Sequence, residues 1–311
     1  MLEAKKLGML AAVGLFLITV VAAILVAKFY LFSPDSEQTP SGPTAASSSA
    51  AAPASQIQVG ILLSQFTATG PHRDVLLHGY DGQTRPIGEL NDPQIRLIPV
   101  IEPGTRHNPQ LARILSRYFP GEKPLDATRE EDLKNLDVLV ATSVANSPDE
   151  VVAAVTQRVR EGMGFLERQF GYETPGYNAQ TRALCGFSDG VFALNSRPVE
   201  CEVVGTHPLL GDLSGRVGSV ITLVPNGTAG TLLGIPLIRV KDMKQVRLVN
   251  SDHTVSTGQY LYPLYVSQLG RGRIVGIGFS VGQAMPPELN GANHGRFYIH
   301  CVQWLSGNAV N

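Results

Sequence analysis

The string Gly186-Phe187-Ser188-Asp189-Gly190 has G-x-S-x-G spacing. In a nucleophile elbow, small residues around a strained turn expose the serine hydroxyl beside a base. An elbow needs a strand before it and a helix after it. Only Ala183-Leu184-Cys185 is apolar upstream, and Val191 to Asn195, then Arg197-Pro198, does not read as a helix. A glycine-rich turn organised by Asp189 is the plainer expectation. Cys185 is a second candidate nucleophile. Its thiolate would need a nearby base or cation, which Arg182, His207 or His253 could supply. The alternative for Cys185 is a small buried hydrophobe. These residues allow one enzymatic reading, a hydrolase of an amide or sugar derivative using Cys185 or Ser188 with His253 as base.

Glu167-Arg168-Gln169 is of a different kind. An apolar run, Met163 to Leu166, delivers three long polar side chains, and Glu173, Tyr177 and Asn178 follow in a Gly/Pro-rich stretch. Glu167, Arg168, Gln169 and Glu173 could hydrogen-bond a small polar ligand bearing hydroxyls or an amide. The alternative is an internal Glu167–Arg168 or Arg168–Glu173 ion pair that fills the crevice. His207, His253, His294 and His300 are scattered without metal-ligand spacing, so no metal site is expected. Gly276-Ile277-Gly278-Phe279-Ser280-Val281-Gly282 has its last glycine one place late for a dinucleotide loop, and no strand unit follows it. No cofactor is expected. Asn226-Gly227-Thr228 is a glycosylation sequon.

The 311 residues carry a formal net charge of -1, and 16% are charged. No basic patch suggests nucleic acid. The 43% hydrophobic content is that of a folded protein. Three cysteines imply no disulfide framework, although a Cys185–Cys201 bridge is open. Cys301 shares helical spacing with Phe297, Trp304 and Leu305 and reads as core.

Leu7 to Ala27 is an uncharged apolar run, preceded by Lys5 and Lys6 and followed by Lys28. As a helix it would span roughly 30 Å, the thickness of a bilayer's hydrocarbon core. It reads as a signal-anchor, with the N-terminus cytoplasmic and the remainder extracytoplasmic. Phe29, Tyr30 and Phe32 would anchor the outer interface. A cleaved signal peptide is the rival reading. Residues 33–55 form a Pro/Ser/Ala-rich linker that buries almost nothing. The expected organisation is an anchor over 1–32, a linker over 33–55 and one α/β domain over 56–307. The expected partners are the membrane and either a small polar ligand or a protein.

Apolar runs predict strands at Ile57–Leu63, Ile95–Ile101, Asp137–Ala141 and Met163–Leu166. Helices are predicted at 108–118 and 148–162. The second has Asn146 or Ser147 as cap, Pro148 at the first helical position, Asp149 and Glu150 in the first turn, and Val152, Val155 and Val159 on its apolar face. This alternation predicts a doubly wound, mainly parallel, flavodoxin-like sheet with ligands at its carboxyl edge. Further strands are expected at 199–204, 217–223, 237–240, 246–250, 264–268 and 274–278, before a closing helix at 294–305.

Several strings in this order resemble the class I glutamine amidotransferase-like superfamily, especially its trehalose-utilisation-like branch. They are Glu161-Gly162-Met163-Gly164-Phe165-Leu166 after a helix, and the turn Thr206-His207-Pro208-Leu209-Leu210-Gly211-Asp212-Leu213. The pair of strands joined by Gly270-Arg271-Gly272-Arg273 and the closing Trp304-Leu305-Ser306-Gly307 complete the set. Active members of that family place a nucleophilic Cys directly after the Gly-rich strand. This chain has Glu167-Arg168-Gln169-Phe170-Gly171 there. The resemblance therefore implies the fold, while glutaminase chemistry is expected to be lost.

Overall fold

The computed structural model describes residues 56–63, 90, 92–107, 109–142, 144, 147–168, 179–194, 197–248, 258–279, 289 and 296–308. All fall within the second of two units, Pro53–Asn311. The Leu7–Ala27 run, the linker, Gln169, Glu173, Tyr177, Asn178, His253 and His294 lie outside them. No helix among the described residues is long and apolar enough to cross a membrane.

The first two apolar runs form β1 (Ile57–Leu63) and β2 (Ile95–Ile101), parallel and paired along their full length. Next come α1 (Pro109–Tyr118), the short β3 (Leu125–Asp126), α2 (Glu130–Leu133) and β4 (Val138–Thr142). Then follow α3 (Asp149–Arg160), β5 (Gly164–Arg168), α4 (Ala179–Leu184), β6 (Val191–Leu194), β7 (Val199–Val203), β8 (Val220–Leu223) and β9 (Asn226–Gly230). The chain closes with β10 (Ile235–Val240), β11 (Tyr260–Leu261), β12 (Leu264–Leu269), β13 (Gly272–Ile277) and α5 (Phe297–Leu305).

The ten-stranded sheet has the order β3-β2-β1-β4-β5-β13-β12-β10-β7-β8. From β3 to β13 every neighbour is parallel. From β13 to β8 every neighbour is antiparallel. The sheet is thus mixed, with the doubly wound pattern confined to its first half. A separate sheet, β11-β9-β6, was not anticipated from sequence. The expected strand over 246–250 is absent among its described residues. Asp242 instead accepts from the Lys244 N–H and starts a 3-10 turn, Met243–Gln245, and Leu248 makes only an isolated bridge to Ala193.

Alternation along each strand divides the core. In β4, Val138 and Val140 face the cluster holding Leu111 of α1 and Phe297, Cys301 and Leu305 of α5. Leu139 and Ala141 face Val152, Val155 and Val159 of α3 on the other side. Each such buried aliphatic side chain stabilises the fold by about 1.5–3 kcal/mol relative to exposure. Of the two proposed caps, Asn146 lies outside the described residues and Ser147 does not occupy the cap position of α3. Pro148 occupies the cap position, one residue before the first helical one, and has no polar side chain to make a cap bond; the Ser147 hydroxyl donates to Glu102. Two glycines set the sheet's close approaches. A Cβ on Gly164 would lie 2.7 Å from the Leu305 Cβ, and one on Gly276 would lie 1.9 Å from the Tyr265 ring.

Candidate functional site

The strand order reverses between β1 and β4, since β2 and β3 lie on one side and β5 and β13 on the other. Folds of this kind bind ligands in the crevice outside the carboxyl ends at that reversal. Here that edge receives Glu102 directly after β2, Val144 and Ser147 after β4, and Glu167 and Arg168 at the end of β5. Both carboxylates and the guanidinium are interior: Glu102 is 3% exposed, Glu167 2% and Arg168 1%.

Their bonds tie the edge together. Glu167 Oε1 accepts from the Val144 N–H at 3.2 Å. The Ser147 N–H donates to the Val144 carbonyl at 3.0 Å. The Ser147 hydroxyl donates to Glu102 Oε1. The Glu102 N–H donates to the Leu63 carbonyl at the end of β1, at 3.3 Å. The connection from β4 to α3 is therefore strapped across the reversal point, held by a carboxylate from β5 on one side and from β2 on the other. Arg168 lies 6.0 Å from the centre of the Tyr298 ring, within cation–π range. β5 reaches two residues beyond the sequence expectation because β4 and β13 both pair with it. Thr142 and Ile277 are the register partners of Arg168. The partial exposure that an open binding crevice requires of Arg168 is not found.

The second candidate set lies around β6. The G-x-S-x-G string connects α4 to β6, so helix precedes turn and strand follows, the reverse of an elbow. Ser188 is exposed, and its hydroxyl lies 3.5 Å from the Thr231 carbonyl. Asp189 accepts from the Thr231 N–H at 2.8 Å, the Thr231 hydroxyl at 3.1 Å and Gln259 Nε2 at 2.9 Å. It organises the turn, as expected. Gly190, at φ 155°, packs against β9, where a Cβ would meet Thr228 at 2.5 Å. Cys185 is 1% exposed in the α3-side cluster, and its carbonyl accepts from the Tyr265 hydroxyl at 2.6 Å.

No disulfide joins the three cysteines, so the Cys185–Cys201 bridge does not form. The two belong to clusters on opposite faces of the sheet. Burial pushes the Cys201 thiol up to about 12. His207 is a turn residue. Its Nδ1 accepts from the Leu209 N–H at 3.2 Å, and its ring meets Trp304 edge-on at 5.0 Å. Burial, then the Arg273 charge, lowers its pKa from 6.5. Asn226 of the sequon is 3% exposed within β9. Among the described residues no cluster of His, Cys, Asp or Glu could hold a metal ion.

Sequence reasoning missed Glu102 and Ser147. The available signal was the one that singled out Glu167: a carboxylate immediately after an apolar strand run, here Ile95–Ile101.

No family model matches this chain. No curated protein matches it either. Solved structures do align with it. A protein described as ThuA-like from Parabacteroides merdae is 9% identical, with 82% of this chain and 92% of that one covered, at a TM-score of 0.47. Another described as ThuA-like, from Bacteroides uniformis, is 14% identical over 81% and 93%, at 0.43. A β-galactosidase from Bacillus circulans sp. alkalophilus is 10% identical over 82% of this chain, at 0.42, and the chain spans about a third of its length, 32%.

Proposed function

We propose that this chain is an amidotransferase-like α/β domain without glutaminase chemistry, tethered to a membrane by residues 7–27 and serving as a scaffold. The observation that carries the reading is the pair Glu167 and Arg168. They stand where the resembled family places its nucleophilic Cys, and both are interior, with Glu167 holding the Val144 N–H. A carboxylate lacks the thiolate nucleophile needed for a thioester. The placement of the resembling strings supports the fold assignment. The Gly-rich run is central β5, His207-Pro208 opens a 3-10 turn, Gly270 turns β12 into β13, and Trp304-Leu305 ends α5. The strapped reversal point favours a scaffold over a small-ligand binder.

The test uses the full-length chain in detergent. No release of ammonia from glutamine above background is expected. Release that disappears in Cys185→Ala would overturn the non-catalytic reading. Cell fractionation should leave the chain in the membrane, and a mature N-terminus near Lys28 would show a cleaved signal instead.

A further inference from the structure

The edge of the sheet opposite the reversal point carries a cleft of about 300 Å³, lined by Leu233, Ile235, Ser267, Gln268, Arg273 and Trp304, with Gly234 and Val266. It lies by the amino end of β13 and the carboxyl end of α5, away from Glu102 and Glu167. The cation of its lining is Arg273, beside the carboxyl end of α5. The Arg273 guanidinium lies 5.2 Å from the centre of the Trp304 ring and donates one hydrogen bond, at 2.6 Å, to the Trp304 carbonyl. Among the described residues no carboxylate pairs with it, and the histidine beside Trp304, His207, is held towards its neutral form. The walls are apolar and wet: Leu233 is 57% exposed and Ile235 58%.

The cleft also contains a length of open strand. β10 pairs with β12 only from Leu264 to Val266, whereas β13 pairs with it through Leu269. Beyond Ile235 the β10 chain leaves the sheet, and the Leu233 N–H donates to the Gly186 carbonyl. On the β10 side, Ser267 to Leu269 have no ladder partner among the described residues; Ser267 is buried against Gly234, so the open edge is Gln268, exposed, and Leu269, half-buried.

We propose that this cleft is the docking site of the scaffold for an extended protein segment bearing a carboxylate between apolar side chains. The proposal rests on the scaffold reading and names its partner's chemistry. The open β12 edge would receive the segment's backbone, Arg273 its carboxylate, and Leu233, Ile235 and Trp304 its apolar flanks. A concave cleft behind Leu233 and Ile235 suits an inserted segment better than a flat lipid surface.

Trp304 is the single tryptophan of the chain, so its emission reports directly on the cleft. The probes are acetylated, amidated pentapeptide pools with a central Glu or Gln and Leu, Ile or Val on either side. They are titrated into the full-length chain in nanodiscs of neutral lipid. The Glu pool should change Trp304 emission saturably, and the Gln pool should bind about tenfold more weakly. Arg273→Gln should remove the preference for Glu. Ile235→Glu, at an exposed position, should abolish binding without changing the melting temperature, which covers the case in which Arg273→Gln fails to fold. No saturable change with the Glu pool, or equal binding of both pools, overturns the proposal. So does an emission shift produced by nanodiscs of anionic lipid but by neither pool, which would assign the cleft to a membrane surface. Ammonia release is measured on the same preparation. Failed peptide binding with no release removes this docking site alone, whereas release lost in Cys185→Ala removes the scaffold reading beneath it.

Discussion

The two ends of the sheet treat charge in opposite ways. At the carboxyl edge, Glu102, Glu167 and Arg168 are all at most 3% exposed; the two carboxylates hold a strap of hydrogen bonds and Arg168 lies over the Tyr298 ring. At the other edge, Arg273 is half-buried against Trp304, paired with no carboxylate among the described residues and next to two exposed aliphatic side chains. At the edge where the topology expects a ligand the described charged side chains are interior, and at the edge where it expects none a cleft is open. Topology locates a crevice, whereas desolvation and pairing decide whether anything can enter it.

The largest test of this contrast is Arg168→Ala. If the crevice is filled, removing an interior guanidinium that lies over the Tyr298 ring should destabilise the protein by about 2–5 kcal/mol, read as a lowered melting temperature. A variant that melts like the parent would mean the crevice is open after all. Gly276→Ala comes next. Its Cβ would drive the Tyr265 ring from its place and strain the Tyr265–Cys185 hydrogen bond, at a cost of about 1–3 kcal/mol. Denaturant unfolding measures it, and a neutral result would mean that the ring side of β13 is soft. Ser147→Ala should cost about 1–2 kcal/mol by removing one of the strap's two carboxylate bonds. An effect too small to measure would place the strap's strength wholly on Glu167.

The smallest effect is a pH limb. The folded-state pKa of His207 lies below its ordinary value of 6.5, through burial and then Arg273. The unfolded chain therefore binds the proton more readily. This contribution to stability is complete above pH 6.5 and falls away as pH drops from 6.5 through the lower folded value. His207→Gln should flatten that limb, while loss of the cap bond and of the Trp304 contact lowers stability by the same amount at every pH. An identical acid limb in the variant would assign it to other groups.

The parallel half was legible because its strands are continuous apolar runs. Ile57–Leu63 and Ile95–Ile101 have the bounds read from sequence, and Val152, Val155 and Val159 lie against the sheet as their spacing required. The second sheet was not legible. β9 is Asn226-Gly227-Thr228-Ala229-Gly230, a composition depleted in strands, and all five positions are buried. Its small residues are there for contact: a Cβ on Gly230 would lie 2.2 Å from the Asp189 carbonyl oxygen. Polar residues at strand ends were legible as candidates, but not their burial. Whether Arg168 faces water depends on Tyr298, 130 residues further along the chain. The Arg273–Trp304 cleft was invisible for the same reason, since β10, β12, β13 and α5 meet only in three dimensions.

The placement of β13 has a consequence for how the molecule is made. This strand is the last of the sheet to leave the ribosome, yet it lies between β5 and β12, with Phe165 paired to Ile274. Until residue 277 is synthesised, the nascent chain holds two partial sheets whose facing margins, along β5 and β12, are bare. Such long-range closure is slow, and bare margins invite pairing with other chains. Premature termination anywhere before Gly272 should therefore yield aggregates that engage chaperones, not a smaller folded protein.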